Sequence, residues 1–371
     1  MINKGYTVFV VAGRLPKSLV KSKVEPIIKS KIVERVYVFS QEEGFKIDGL
    51  KYITLPKIFN KRNFLLKFLR IIYEPLQLFA YSLKYSPDLI KGIYVMPKGF
   101  NSLIISRIYG CKCMVSNIGG LPEILTYYDN FKQIRKKINL YIYKKADLVT
   151  TKGYTIIDYL IKNSVNKNKI HVYNGSIDTE KFKRGKNIKK TIDVLFVGSF
   201  IERKGPDRVI KIIKILINKY NFSSIKVGFL GEGELYEMVN KQIINEGLQN
   251  NIKLYGHRDN TADYFVKSKV LIMPSISEGL STAMLEAMSS ECVPVVSDVG
   301  EMTKAAVDGR NSFVVKKYSD FSGFAKKINI LLTNNSKRNK MAYNARQDVL
   351  KEYSIDEQMD QFEMLIRKIL N

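Results

Sequence analysis

The chain has 371 residues, 45% hydrophobic and 26% charged, too long for a small stapled module and too apolar for a disordered chain, so about two packed domains are expected. Lys and Arg number 61 against 35 Asp and Glu, a formal net charge of +26, and such an excess points to anionic partners such as phosphates or acidic lipid. The excess is one-sided: 36 basic and 13 acidic residues through Lys190 give +23, whereas 25 and 22 after it give +3.

The opening MINKGYTVFVVAGRLP has only a short apolar run before Arg14. No later stretch reaches the about 18 uninterrupted apolar residues of a spanning helix, so a cytoplasmic protein, or one peripheral at the cytoplasmic face of the membrane, is expected. Short β-branched runs follow at Tyr6 to Val11, Val36 to Phe39, Asp88 to Val95, Met114 to Ile118 and Leu148 to Thr151, separated by helical patterns. That alternation predicts parallel βαβ units. Within it, residues 59–85 interleave Arg62, Lys67, Arg70 and Lys84 with Phe64, Leu65, Leu66, Phe68, Leu69, Ile71, Ile72, Phe79 and Tyr81. Two readings stand side by side here: a helix lying on an anionic membrane surface, or a core helix with a solvated basic edge.

Residues 181–191, KFKRGKNIKKT, are too charged to form much core and predict a hinge. The grammar then repeats with strands at Asp193 to Val197, Lys226 to Leu230, Ile252 to Tyr255, Val270 to Met273 and Val293 to Ser297. Domains are therefore expected at 1–185 and 186–353, with an amphipathic helix at 354–371 carrying Met359, Phe362, Leu365, Ile366 and Ile369. Cys111, Cys113 and Cys292 form neither an even disulfide set nor a metal quartet, which fits a reducing compartment and no structural zinc. Cys292 reads as a small core residue, and His171 as structural.

Two segments carry candidate chemistry. DVLFVGSFIERKGPDRVIKII reads as strand, turn at Gly198, and helix with Pro206 near its start. Free amides at a helix start, with Arg203 and Lys204, suit a diphosphate, although an ordinary turn with solvated cations would look alike. LIMPSISEGLSTAMLEAMSSECVPVVSDVG places strand, loop, helix and strand in tight order, with Ser281 or Thr282 as the cap and Leu280, Met284, Ala287 and Met288 as the buried stripe. Glu278 precedes that helix and Glu286 lies one turn into it, so two carboxylates and several amides surround one mouth. The plainer alternative makes Glu278 a turn residue and Glu286 a solvated one.

These segments resemble the retaining nucleotide-sugar glycosyltransferases of family 4. The resemblance rests on the Gly198-to-Gly205 turn with its Lys-Gly pair, FLGEGEL at 229–235, LYGHRDN at 254–260, MPSISEGLSTAMLEAM with its Glu-x7-Glu pair, PVVSDVGEM at 294–302, and YNGSIDTEKF at 173–182. It implies the GT-B fold: two Rossmann-like doubly wound α/β domains facing across a cleft, with the terminal helix crossing back to the first. It further implies catalytic roles for Arg203 and Lys204 on the donor diphosphate and Glu278 on the sugar hydroxyls. Glu286 would take the ribose, Gly256, His257 and Arg258 would lie against the base, and Gly13, Gly198, Ser199, Gly279, Leu280 and Ser281 would contribute to the donor site. The implied partners are a UDP- or GDP-linked sugar, a glycan or lipid-linked acceptor, and an anionic membrane surface at 59–85, with no nucleic acid. No cofactor or metal is implied, and no Asp-x-Asp triplet occurs.

Departures from the family pattern keep a further reading open. Ser199 stands where many members have Arg, and VSNIGGLPEI at 115–124 lacks the first-domain histidine, so the general base is unassigned, although Asn117, Gly119 and Gly120 could still approach the sugar through an amide or backbone. A catalytically impaired subunit that binds nucleotide sugar as a regulator or scaffold is the alternative.

Overall fold

The computed structural model describes residues 5–60, 63–125, 132–185 and 187–371, so Arg62 lies outside the described residues. The chain forms two compact units, Met1–Ser176 with Ile355–Asn371, and Ile177–Ser354.

In the first unit, β1 (Tyr6–Val11), β2 (Val33–Ser40), β3 (Leu50–Thr54), β4 (Leu89–Ile93), β5 (Lys112–Asn117), β6 (Leu148–Thr151) and β7 (Ile170–Val172) pair in the order β3-β2-β1-β4-β5-β6-β7. Every pairing is parallel. Strands covered by helices on both faces need apolar side chains on both, which is why β1 and β4 are buried almost throughout. The second unit repeats the design with β8 (Ile192–Val197), β9 (Val227–Leu230), β10 (Ile252–Gly256), β11 (Ser268–Met273), β12 (Val293–Ser297) and β13 (Phe313–Val315), in the parallel order β10-β9-β8-β11-β12-β13. Both are doubly wound Rossmann-like sheets, as the alternation predicts.

Three strands escape that prediction: β3, β7 and β13. The first two are half-exposed edge pieces, and β13 is only three residues long. The run Asp88 to Val95 is also shorter than expected, because the chain turns at Tyr94 with a positive φ of 68°.

The boundaries fall at Ser176/Ile177 and Ser354/Ile355, ahead of the charged 181–191 stretch. That stretch belongs to the second unit because Phe182 is buried against Phe265, 6.1 Å between ring centroids. Lys190 Nζ also donates to the carbonyls of Ser268 and Glu291, both at 2.6 Å. The helix Ile355–Leu370 packs Phe362, Leu365 and Ile366 into the core of the first unit beside Val8, Val10 and Leu89. His171 sits against its outer end, Nε2 3.3 Å from Lys368 Nζ. Cys292 is fully buried, and burial pushes its thiol up to about 12.

The helix Phe64–Tyr85 runs unbroken through Pro75, and its two halves differ in burial. Its later turns are core: Leu78 is buried, Tyr81 meets Phe39 edge-on and Tyr85 stacks on Tyr37 at 4.4 Å. Its first turns leave Phe64, Leu65, Phe68, Leu69, Ile71, Ile72 and Leu76 exposed, Phe64 at 87%. Asn63 caps this exposed end, its Oδ1 accepting from Leu65 N at 2.8 Å and Leu66 N at 3.4 Å. Glu74, the helix's acid, is held under Lys98 at 2.6 Å and Arg70 at 2.7 Å. Among the described residues no helix is long and apolar enough to cross a membrane.

Candidate functional site

β8 and β11 are neighbours in the second sheet, and strand order reverses between them. The loops leaving their carboxyl ends diverge there, which is where open α/β sheets present ligand groups. The β8 loop runs from Gly198 to Gly205 into the helix Pro206–Tyr220, and the β11 loop runs to the helix Thr282–Ser289.

Backbone pairing brings β9 and β10 to the same rim. Gly198 N donates to Leu230 O at 3.0 Å, Phe200 N to Glu232 O at 2.8 Å, and Gly231 N to Gly256 O at 3.0 Å. Gly231, at φ +138°, has no room for a side chain, since a Cβ would stand 1.9 Å from Gly198 O. Gly300 plays the same part below the other loop, where a Cβ would fall 1.7 Å from Glu278 O.

Opposite charges meet at the centre. Lys204 Nζ lies 2.6 Å from Glu278 Oε1 and Arg203 Nη1 3.4 Å from Oε2. Arg203 Nη1 also donates to Ser277 O at 2.7 Å. The Glu278 side chain is only 6% exposed, and these two cations satisfy its carboxylate.

Ser281, not Thr282, caps the following helix, its Oγ accepting from Met284 N at 3.4 Å. Leu280, Met284, Ala287 and Met288 are buried as the spacing predicts, with Leu285 joining them. Glu286 sits on the same helix, and burial raises its carboxyl to about 7, a rise that Lys181 partly offsets. A Cβ on Gly279 would meet only open space.

At the β10 exit, Gly256 adopts φ +69° and His257 N donates to Glu232 Oε1 at 3.2 Å. The His257 ring is exposed, 3.5 Å from Asp259, and Arg258 is exposed beside it. The structure thus collects Gly198, Ser199, Arg203, Lys204, Gly256, His257, Arg258, Gly279, Leu280, Ser281, Glu278 and Glu286 on one rim of one unit. Gly13 belongs to the first unit, at the exit of β1, with open space where a side chain would be.

The loop expected to substitute for the absent histidine is occupied with itself. Ile118 N and Gly119 N donate to Glu123 Oε2 at 2.9 and 2.8 Å, and Gly120 N to Asn117 Oδ1 at 2.7 Å. Asn117 Nδ2 donates to Tyr143 OH at 2.9 Å. The amides of Gly119 and Gly120 and the Asn117 side chain are therefore committed to holding the turn.

Sequence reasoning missed Glu232, which fixes the β10 turn, and Arg208, which is buried behind the two central loops. FLGEGEL contained Glu232 in plain sight, whereas Arg208 has nothing in its sequence context to separate it from an ordinary surface arginine of a helix. A cavity of about 630 Å³ lies elsewhere, by the starts of β8, β9 and β10, and is open and lined by Lys226, Lys253, Tyr264 and Lys267. It contains none of the charge-opposed groups, so the chemistry and not the volume locates the site.

Residues 177–348 match the family model of the glycosyl transferases group 1. An uncharacterized glycosyltransferase of Methanocaldococcus jannaschii is 27% identical over 70% of this chain and 70% of its own. The capsular polysaccharide biosynthesis glycosyltransferase CapH of Staphylococcus aureus is 29% identical over 47% of this chain, which spans half of that relative. Among solved structures, Anabaena HepE in complex with UDP superposes with a TM-score of 0.77 at 14% identity, covering 98% of this chain and all of that one. With two parallel Rossmann-like sheets in the chain, that likeness makes the fold GT-B.

Proposed function

We propose that the protein is a glycosyltransferase that moves a sugar from a UDP- or GDP-linked donor to a glycan or lipid-linked acceptor, with retention and without a metal, in cell-surface polysaccharide or glycolipid synthesis. The observation that carries this reading is the meeting of Lys204 and Arg203 with Glu278 at a strand-order reversal inside the span that matches the glycosyl transferases group 1 model. The two kinds of charge match the two ends of the reacting bond. As the bond from the anomeric carbon to phosphate breaks, its electrons go to the diphosphate, where the cations and the amides of Gly279 and Leu280 receive them. Glu278 would then exchange its cations for sugar hydroxyls, and Glu286 would accept from the ribose. The acceptor oxygen bonds to the same face of that carbon and passes its proton to the departing phosphate. The polysaccharide setting is supported by the name of the Staphylococcus aureus relative.

A thermal-shift panel of UDP-, GDP- and ADP-sugars, followed by product mass, tests the reading. One donor is expected to raise the melting temperature and to yield a glycosylated acceptor. A shift without product under any acceptor favours the regulatory or scaffold alternative, to which the self-occupied Asn117 turn lends support.

Glu286 gives this reading a pH signature. Its carboxyl titrates near 7, and the ionised form is the one that accepts two hydroxyl hydrogens. Donor affinity is therefore expected to rise between about pH 6 and pH 8, and Glu286→Gln to weaken binding and flatten that rise. A slope unchanged in Glu286→Gln would remove Glu286 from the ribose.

The proposal includes an anionic membrane surface as partner of the first unit. Its support is the exposed end of the Phe64–Tyr85 helix, seven large apolar side chains flanked by Lys57 and Lys67, with Glu74 neutralised beneath. Vesicles of phosphatidylglycerol and phosphatidylcholine should float the protein at low salt. Phe64→Ser with Phe68→Ser should cut the floated fraction at least about fivefold, and failure of the parent chain to float would end this part of the proposal.

A further inference from the structure

The loops that carry Arg203, Lys204 and Glu278 are joined behind the site by one side chain. Arg208, in the first turn of the helix Pro206–Tyr220, is 7% exposed. Its Nε donates to Pro274 O at 2.8 Å, at the start of the β11 loop. Its Nη2 donates to Glu202 O at 2.7 Å and Arg203 O at 3.3 Å, in the β8 loop. The guanidinium lies 5.3 Å from the centre of the Tyr318 ring. A planar fork with several donors can bind carbonyls of two segments at fixed separation, which a lysine ammonium on a flexible stem does poorly.

Two neighbouring features make sense only around this group. Gly205 adopts φ +69°, and a Cβ there would stand 2.2 Å from Arg208 Nε and 2.3 Å from Cζ. The glycine of the Lys-Gly pair thus leaves the space the guanidinium fills. Ile276 N donates to Arg203 O at 2.9 Å, so one carbonyl receives both the neighbouring loop and the arginine. A buried charge survives only when its donors are matched, and here the acceptors are backbone carbonyls, so the charge organises main chain.

We infer that Arg208 is a positioning residue: by tying the Glu202–Arg203 carbonyls to Pro274 it sets the separation between the Lys204 and Arg203 cations and the Glu278 carboxylate. It touches no reacting atom. Its consequence for catalysis rests on the glycosyltransferase reading, but the tie itself does not. Losing it would let the two loops drift apart, and misplacement of about 1 Å costs on the order of 100-fold in rate.

The test uses the full chain with Arg208→Lys, and Gly205→Ala as another way of displacing the guanidinium should Arg208→Lys fold poorly. Hydrogen exchange should quicken at least about tenfold in residues 199–205 and 275–280 together, with β8, β11 and the first unit unchanged. Unchanged protection in those two loops, or loosening spread over the whole second unit, overturns the inference. With a donor found by the thermal-shift panel, Arg208→Lys should lower kcat about 10- to 100-fold more than it changes donor KM. Lys204→Ala should then cost far less in the Arg208→Lys background than alone, because a displaced lysine has little left to lose. Independent, multiplying losses would overturn the positioning role. If the parent chain transfers no sugar, the exchange measurement still decides whether Arg208 couples the loops, and only the functional reading falls.

Discussion

Glu278→Gln is expected to slow sugar transfer about 100-fold or more while tightening the binding of free UDP or GDP several-fold, two effects of opposite sign at one residue. The carboxylate holds Lys204 at 2.6 Å and Arg203 at 3.4 Å. An incoming diphosphate competes for those cations, and it would strand a side chain that is 6% exposed. Nucleotide alone gives Glu278 no replacement partners. A nucleotide sugar does, because its hydroxyls donate to the carboxylate as the phosphates take the cations. The exchange thus favours substrate over spent nucleotide and assists product release. Glutamine removes the charge that competes for Lys204, so nucleotide binds better, and it weakens the grip on the sugar, so transfer suffers. Lys204→Ala should act in one direction only, slowing transfer about 100- to 1,000-fold. Because Arg203 still faces Glu278 at 3.4 Å when Lys204 is removed, the melting temperature of Lys204→Ala should move by only a few degrees. Isothermal titration with UDP and GDP beside initial-rate kinetics separates the two. Parallel losses of nucleotide affinity and rate in Glu278→Gln would refute the exchange.

The sequence made this site legible because its parts lie close along the chain. Ser277 to Glu286 is a single loop-helix segment whose cap and apolar stripe follow from spacing, and Gly198 to Pro206 is another compact stretch. What spacing cannot convey is which segments meet. Lys204 and Glu278 are 74 residues apart, and Arg208 reaches Pro274 across 66. The same limit applies to the Asn117 turn, where Glu123 claims amides that the linear pattern left free for substrate. In the fold, β1, β8 and β12 were readable because burial on both faces favours near-continuous apolar runs, whereas β3, with Lys51 outward, carries a weaker signal. The 181–191 stretch misled for a related reason: its charge is high, yet the apolar Phe182 and the carbonyl-bound ammonium of Lys190 anchor it to the second unit.

Lys91→Met is expected to stabilise the protein at pH 7 and to lose most of that advantage by pH 10. Lys91 lies in the middle of β4, fully buried, and its Nζ has no hydrogen-bond partner among the described residues. It rests between the rings of Tyr173, at 4.8 Å, and Phe362, at 5.3 Å, with the buried Lys23 nearby, whose own pKa is depressed by burial and further by Lys91. Desolvation lowers the Lys91 amine from 10.5 to about 7. An unfolded chain therefore binds one more proton than the folded one between those values, and stability rises as pH climbs through that window. At pH 7 the deficit is on the order of 4 kcal/mol, against which the two ring contacts return about 1 kcal/mol or more that methionine replaces only partly. A net gain of about 1–3 kcal/mol follows, since Met matches the length and fills the same space without a charge to desolvate. Denaturant melts of both chains at pH 7, 8.5 and 10 should show midpoints that converge upward in pH, the parent gaining more than the variant, whose remaining rise comes from the buried Lys23. A variant less stable at every pH would mean that the amine is bonded to something that methionine cannot replace, and that Phe362 docks on a charge and not merely on an apolar stem.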